Sequence, residues 1–252
     1  MDKLLKTPNG MLTILKKELH TYLNSLIAYI TIIVFLSVTG LFLWVLPDFN
    51  VFDEGYANID SLFVLGPYVY LLLIPAISMK TIAEEKKLGT LEILLTKPIS
   101  TTQLIIGKYL ACLIVVVIAL LPTLTYYYSV YQLGEPMGNI DSAAVIGSYI
   151  GLFLLGAAFT ALGILSSSLS SNQIISFITC LFLCFFFYEL IEITSTLSIW
   201  GNSVSTLVKF GLAYHYKALG KGLIDSTNVV YFVSVILLSL RLAVFVVEKQ
   251  KG

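Results

Sequence analysis

Six long apolar runs separated by short polar stretches set the pattern of the chain. They extend approximately over Leu26 to Leu46, Leu62 to Met79, Leu104 to Tyr131, Ala143 to Ser166, Ile174 to Ile193 and Val229 to Val247. A bilayer core takes about 20 apolar residues per helical crossing, so each run is long enough to span as a helix. Six crossings return the chain to the side on which it began. Ahead of them, Met1 to His20 carries Lys3, Lys6, Lys16 and Lys17, with Leu12, Leu15 and Leu19 on one helical face. That pattern predicts an amphipathic helix lying along the membrane surface, with an unstructured basic lead as the alternative.

One polar interruption stands apart from the other connections. Eight of the thirty charged residues fall between Lys80 and Lys108, a density that a bilayer core excludes. Gly89 is placed to close an incoming helix in the left-handed conformation, and Pro98 blocks continuous helix into the next span. Ser100 and Gln103 form the capping-box pattern that opens a new helix. Between these marks Thr90 to Leu95 predicts a short amphipathic helix, since Leu91, Leu94 and Leu95 fall at i, i+3 and i+4. Two readings compete for its apolar face: leucines tucked against their own bundle, or a docking element for a soluble partner.

Composition and charge then narrow the class. The 252 residues are 58% hydrophobic and 12% charged, about half the charge of an ordinary soluble domain, so the solvent is lipid. Formal net charge is zero, and no basic patch is dense enough to suggest nucleic acid. Cys112, Cys180 and Cys184 lie inside apolar runs and read as small buried hydrophobes. The first apolar run exceeds a signal-peptide core and ends in Pro-Asp-Phe-Asn, which reads as a retained span.

Lysine placement orients the bundle. Lys3, Lys6, Lys16, Lys17, Lys80, Lys86, Lys87, Lys97, Lys108, Lys249 and Lys251 fall on one side, against Lys209, Lys217 and Lys221 in a single long loop on the other. The lysine-rich side is cytoplasmic by the positive-inside rule, which places both termini there. Pro67-Tyr-Val-Tyr70, Tyr126 to Tyr128, Tyr131, Trp200, Tyr214, Tyr216 and Tyr231 would form an outer aromatic belt. Asp48, Asp53, Glu54 and Asp60 in the first outer loop lack calcium-loop spacing and read as a solvated turn.

Within the spans, Pro67, Pro75 and Pro122 predict kinks or breaks. Gly147 and Gly151, at i and i+4, predict close helix packing, against either another span or a second subunit. Glu189 and Glu192 are candidates for an outer vestibule, and Arg241 is placed to snorkel to the inner surface. Thr194 to Asn228 is too apolar for a solvated linker. Leu207, Phe210 and Tyr214 would share a helical face, with glycines as breaks, in a re-entrant hairpin of the outer leaflet. The predicted class is an all-α membrane protein: six transmembrane helices, an N-terminal interfacial helix, a short cytoplasmic helix and the outer re-entrant hairpin.

The run Glu84-Glu-Lys-Lys-Leu-Gly-Thr-Leu-Glu-Ile-Leu-Leu-Thr-Lys-Pro98, followed by Gly107-Lys108, resembles the coupling segment of type-2 ABC transporter permeases. Tyr214 to Asp225 and Tyr231-Phe232 are similar to that family's pattern before the last span. Met11 to Glu18, Phe42 to Pro47, Leu73 to Ile77, Leu120 to Leu124, Gly147 to Leu152 and Ser167 to Gln173 resemble the gliding-motility-associated permease subunits. The resemblance implies a multi-pass protein of the inner (cytoplasmic) membrane that pairs with a second permease subunit, homo- or heterodimeric, amid membrane lipid. It also implies a separate ATP-binding subunit, with Glu84, Glu85, Gly89, Thr90, Leu91, Glu92, Leu94, Leu95, Lys97 and Pro98 as the ATPase-coupling residues, and no cofactor of the chain's own. The residues agree with that division of labour, because neither Gly107-Lys108 nor Gly220-Lys221 sits in a phosphate-binding loop. A membrane enzyme is disfavoured, since His20 and His215 fall on opposite sides of the bilayer and Ser166 to Ser168, Ser170 and Ser171 lack a histidine base. A non-transporting scaffold or channel subunit is the remaining alternative.

Overall fold

The computed structural model describes residues 10–47, 50–52, 55–195, 207–222 and 225–250, and among these every regular element is helical. In chain order they are α1 (Gly10–Leu23), α2 (Leu26–Trp44), α3 (Asp60–Ser78), α4 (Ala83–Lys87), α5 (Thr90–Leu95) and α6 (Thr101–Leu120), followed by α7 (Leu124–Leu133), α8 (Ser142–Leu169), α9 (Gln173–Phe185), α10 (Ile191–Ser195), α11 (Leu212–Leu219) and α12 (Ser226–Lys249). Six of the resulting helical stretches are long and apolar enough to cross a membrane: α2, α3 with α4, α6 with α7, α8, α9 with α10, and α12. The protein is therefore an all-α membrane protein.

Helices this apolar carry little periodicity to fix their ends, and polar caps do it instead. The Ser25 hydroxyl accepts from the Ile27 N–H, the Asp141 carboxylate from Ala143 and Ala144, Asn172 from Ile174, and Asp225 from Thr227. Each supplies an acceptor to a first-turn N–H that would otherwise lack one.

The prolines act unequally. Helix α3 continues through Pro67 and Pro75, so of the kinks or breaks expected there neither proline breaks it. At Pro122 the chain does tighten into a 3-10 turn, Leu121–Thr123. There the Tyr149 hydroxyl donates to the Thr123 carbonyl at 2.9 Å. A π turn, Phe186–Leu190, joins α9 to α10.

Helix α8 is the hub. Buried residues make up 83% of its apolar window, against 28% for α2, α9–α10 and α12, and it packs against α3, α6, α9, α11 and α12. Small residues allow this: a Cβ on Gly163 would collide with the Ser78 hydroxyl of α3, and one on Gly156 would come within 3.1 Å of the Tyr70 ring.

In α1 the inward face is Ile14, Glu18 and Tyr22, while Leu12 is exposed and Leu15 and Leu19 are half-buried. Two expectations are corrected. Tyr70 and Tyr216 are core residues rather than interfacial ones, Tyr70 stacking on Phe35 at 5.2 Å. Leu207, Phe210 and Tyr214 do not share one helix, since a turn at 209–211 precedes α11 and both Phe210 and Tyr214 are exposed. Trp200, Asp48, Asp53 and Glu54 lie outside the described residues, as does most of the first arm of the expected hairpin.

Candidate functional site

Between α3 and α6 the chain makes an elbow. Helix α4 closes through the Leu88 N–H on the Glu84 carbonyl, and Gly89 then takes φ +70°, a left-handed turn suited to glycine. Helix α5 follows over Thr90–Leu95 and stops before Pro98. At Ser100 the hydroxyl accepts from the Gln103 N–H while the Gln103 side chain accepts from the Ser100 N–H, both at 3.1 Å. The residues expected to break and restart the helix are the ones that do.

The leucines share a face, and that face turns onto the chain's own bundle. Leu91 is 5% exposed, and Leu94 and Leu95 are half-buried against the core. The docking handle pictured as Leu91, Leu94 and Leu95 is therefore occupied by the protein itself. The apolar side chains that the elbow leaves exposed are Leu88 (67% exposed) and Ile93 (60%), both at the groove beside α1, with Thr90, Glu92, Lys97 and Pro98 exposed beside them.

A groove of about 550 Å³ separates the elbow from α1, with Lys17, Glu18, Lys80, Glu84, Glu85 and Lys97 among its lining. Its floor is a buried ion cluster. Lys108, only 1% exposed, donates to Glu18 Oε1 at 3.0 Å and to the Thr81 carbonyl at 2.7 Å, and its Nζ lies 2.8 Å from Glu85 Oε1. Two of these contacts are hydrogen bonds, to Glu18 and Thr81, and the third is an ion pair with Glu85. Lys17, on the exposed rim, lies 3.5 Å from Glu18 and 3.7 Å from Glu85. One turn along α1, the Tyr22 hydroxyl lies 3.0 Å from Cys112 Sγ and donates to the Ile77 carbonyl. Burial, reinforced by Cys112, holds that phenol well above its usual range.

The last turn of α8 grips the elbow from the other side. The Ser167 hydroxyl accepts from the Ile82 and Ala83 N–H groups at 3.0 and 3.1 Å and donates to the Met79 carbonyl. It thereby satisfies the first N–H groups of α4, and Lys86 donates to the Ser168 carbonyl. The serine run that lacked a catalytic base is thus a helix-end clamp.

At the opposite end of α8, Gly147 and Gly151 receive α11. A Cβ on Gly147 would strike the Leu219 carbonyl oxygen, and one on Gly151 would lie 3.2 Å from the Tyr216 ring. The neighbour at these glycines is a segment of the same chain. The Tyr216 hydroxyl donates to the Phe63 carbonyl at 2.6 Å. His215 is buried between Asn228, at 2.7 Å, and the Lys209 carbonyl, at 2.9 Å. Of the vestibule candidates, Glu192 pairs with Lys217 at 2.6 Å and Glu189 accepts from Tyr68 at 3.4 Å. Both are tied to neighbouring elements around α11.

Sequence reasoning missed Glu18, Lys108 and Ser167. A signal existed for two of them. Glu18 sits between Ile14 and Tyr22 at i±4 on the buried face of α1, and Lys108 lies ~12 Å beyond the Ser100 cap inside an apolar helix. A lysine at that depth demands a partner.

The model of a family described as ABC-2 family transporter protein matches residues 46–247, most of the chain and all of the elbow. No curated protein matches.

Proposed function

This chain belongs to the ABC-2 family of transporter proteins, and from that premise we propose that it serves an export-type, gliding-motility-associated ABC transporter of the inner membrane. Family membership makes it a permease subunit, a transport component that is not itself catalytic and that works with an ATP-binding subunit. In our reading the whole chain, 1–252, is one transmembrane unit with both termini cytoplasmic, paired with a second permease subunit.

The observation that carries the coupling assignment is the exposed face of the elbow. Leu88, Glu92 and Ile93 stand exposed on a rigid turn whose inner face is packed by Leu91 and whose base is fixed by Ser167 and Lys108. Two exposed aliphatic side chains flanked by charge suit a protein partner, and the fixed base lets a push on them move the spans. Glu84, Glu85, Gly89, Thr90 and the leucines shape and brace the elbow, while Lys97 and Pro98 end it. The lysine distribution supports a cytoplasmic location for this face, where ATP is available. The gliding-motility assignment and the export direction rest on the sequence resemblance.

Copurification tests the assignment. Detergent-solubilised permease expressed with its ATP-binding subunit should retain that subunit. The double variant Leu88→Asp with Ile93→Asp should lose it while melting at the wild-type temperature. Full retention in the variant, or labelling of an Ile93→Cys protein from outside intact cells, would overturn the assignment.

A further inference from the structure

The Lys108 ammonium of α6 is shared by carboxylates on two other elements, Glu18 of α1 and Glu85 of α4, and its third bond goes to the Thr81 carbonyl beyond α3. Glu85 Oε2 is buried without a hydrogen-bond partner, so Glu85 is held through its other oxygen, by Lys108 and the rim Lys17. Two ammonium groups and two carboxylates balance, and separating any buried member leaves an uncompensated charge. Alongside, Gly107 brings α1 against α6: a Cβ there would lie 2.9 Å from Ile14 Cγ2 and 3.1 Å from the Met11 carbonyl oxygen. The link from α1 to its own first span is slighter. Residues 24 and 25 form a turn held by the helix-end bonds Asn24 N–H to His20 and Ser25 N–H to Tyr22.

We propose that Lys108 and Glu18 are positioning residues that lock α1 to the elbow and to the near end of α6. The three then travel as one body that pivots at Asn24–Ser25 relative to α2. This rests on the coupling reading of the elbow and adds a second lever to it: a push on α4 and α5 reaches the first span through α1, as well as the third span through α6. A desolvated charge cluster suits such a joint, because salt screens it poorly and it has no partially separated state of low energy.

Paired spin labels on exposed positions test the joint in lipid nanodiscs, the three native cysteines being buried. One pair, Lys16 and Thr96, bridges α1 and the elbow. The other, Leu12 and Leu41, bridges the pivot. Without nucleotide, the wild type should give one narrow Lys16–Thr96 distance, and Lys108→Arg should keep it. Lys108→Met should lose it. Because Lys108→Met leaves Glu18 and Glu85 with only the exposed Lys17 and can fail to fold, Glu18→Met is the second variant. It leaves Lys108 and Glu85 paired, and it too should broaden the distance. With the ATP-binding subunit bound and trapped by vanadate, the Lys16–Thr96 distance should stay fixed while Leu12–Leu41 shifts. A folded Glu18→Met protein with the wild-type narrow distance, or a trapped wild type in which Lys16–Thr96 shifts and Leu12–Leu41 does not, overturns the proposal. Failure of the ATP-binding subunit to bind would instead overturn the coupling reading, and the nucleotide-free comparison would still decide the joint.

Discussion

The two ends of α8 hold their neighbours by different physics. At the Ser166–Ser168 end the elbow, α1 and α6 meet on buried charge, with Lys108 between Glu18 and Glu85 and bonded to the Thr81 carbonyl. At the Gly147 end α11 lies directly on the helix backbone, held by absent side chains, by tyrosine and histidine bonds and by the exposed Lys217–Glu192 pair. Helices in lipid gain little from apolar contact, since lipid tails offer the same contact, so each end needs a specific device. The charged device tolerates changes of shape and forbids changes of charge. The steric one does the reverse.

The largest expected effect comes from removing the central cation. Lys108→Met conserves volume roughly and should cost about 3 kcal/mol of unfolding free energy, because buried Glu18 and half-buried Glu85 lose their buried partner and keep only the exposed Lys17. Detergent-phase denaturation with a helix signal measures it, and a cost below about 1 kcal/mol would place the cluster among ordinary exposed ion pairs. Next in size is the steric end. Gly147→Ala adds one methyl where the Leu219 carbonyl stands, so α11 must shift, at about 1–3 kcal/mol. Helix propensity pulls the other way by ~1 kcal/mol, so a variant more stable than wild type would show that α11 yields easily. Proteolysis around α11 read beside the melt would report that shift directly.

These two sites also mark what the sequence could and could not disclose. The elbow was legible because its signals act locally: Gly89 turns, Pro98 blocks, and Ser100 and Gln103 bond each other across three residues. The spans were legible for the same reason, since lipid dictates composition residue by residue. Pairings across the chain leave no such mark. Lys108 and Glu18 are 90 positions apart, and an isolated ion pair has no period to detect. The leucine spacing of α5 disclosed that the helix has an apolar face, whereas the covering surface turned out to be the chain's own bundle. Gly147 and Gly151 likewise announced close approach without naming α11. Pro67 and Pro75 allowed a kink or a break, and α3 continues through both.

The smallest expected effect separates the ends by pH. Asp225 caps α12 beside α11, and the Thr227 N–H, its main influence, holds the carboxyl below the usual range. A group whose folded pKa is depressed contributes stability that is fully present above its unfolded value, about 3.9, and that is lost as pH falls through the lower folded value. Acid should therefore loosen the first turn of α12, where Asn228 holds His215, before it disturbs the glycine contacts of α8, which include tyrosine rings and no carboxylate or histidine. Asp225→Asn caps nearly as well at neutral pH and cannot be protonated. The two proteins should accordingly match near neutrality and diverge only below about pH 4, with the wild type exchanging its first-turn amides faster. Hydrogen exchange followed down the acid limb reads this directly. Equal acceleration in both proteins would show that the loosening does not arise at Asp225.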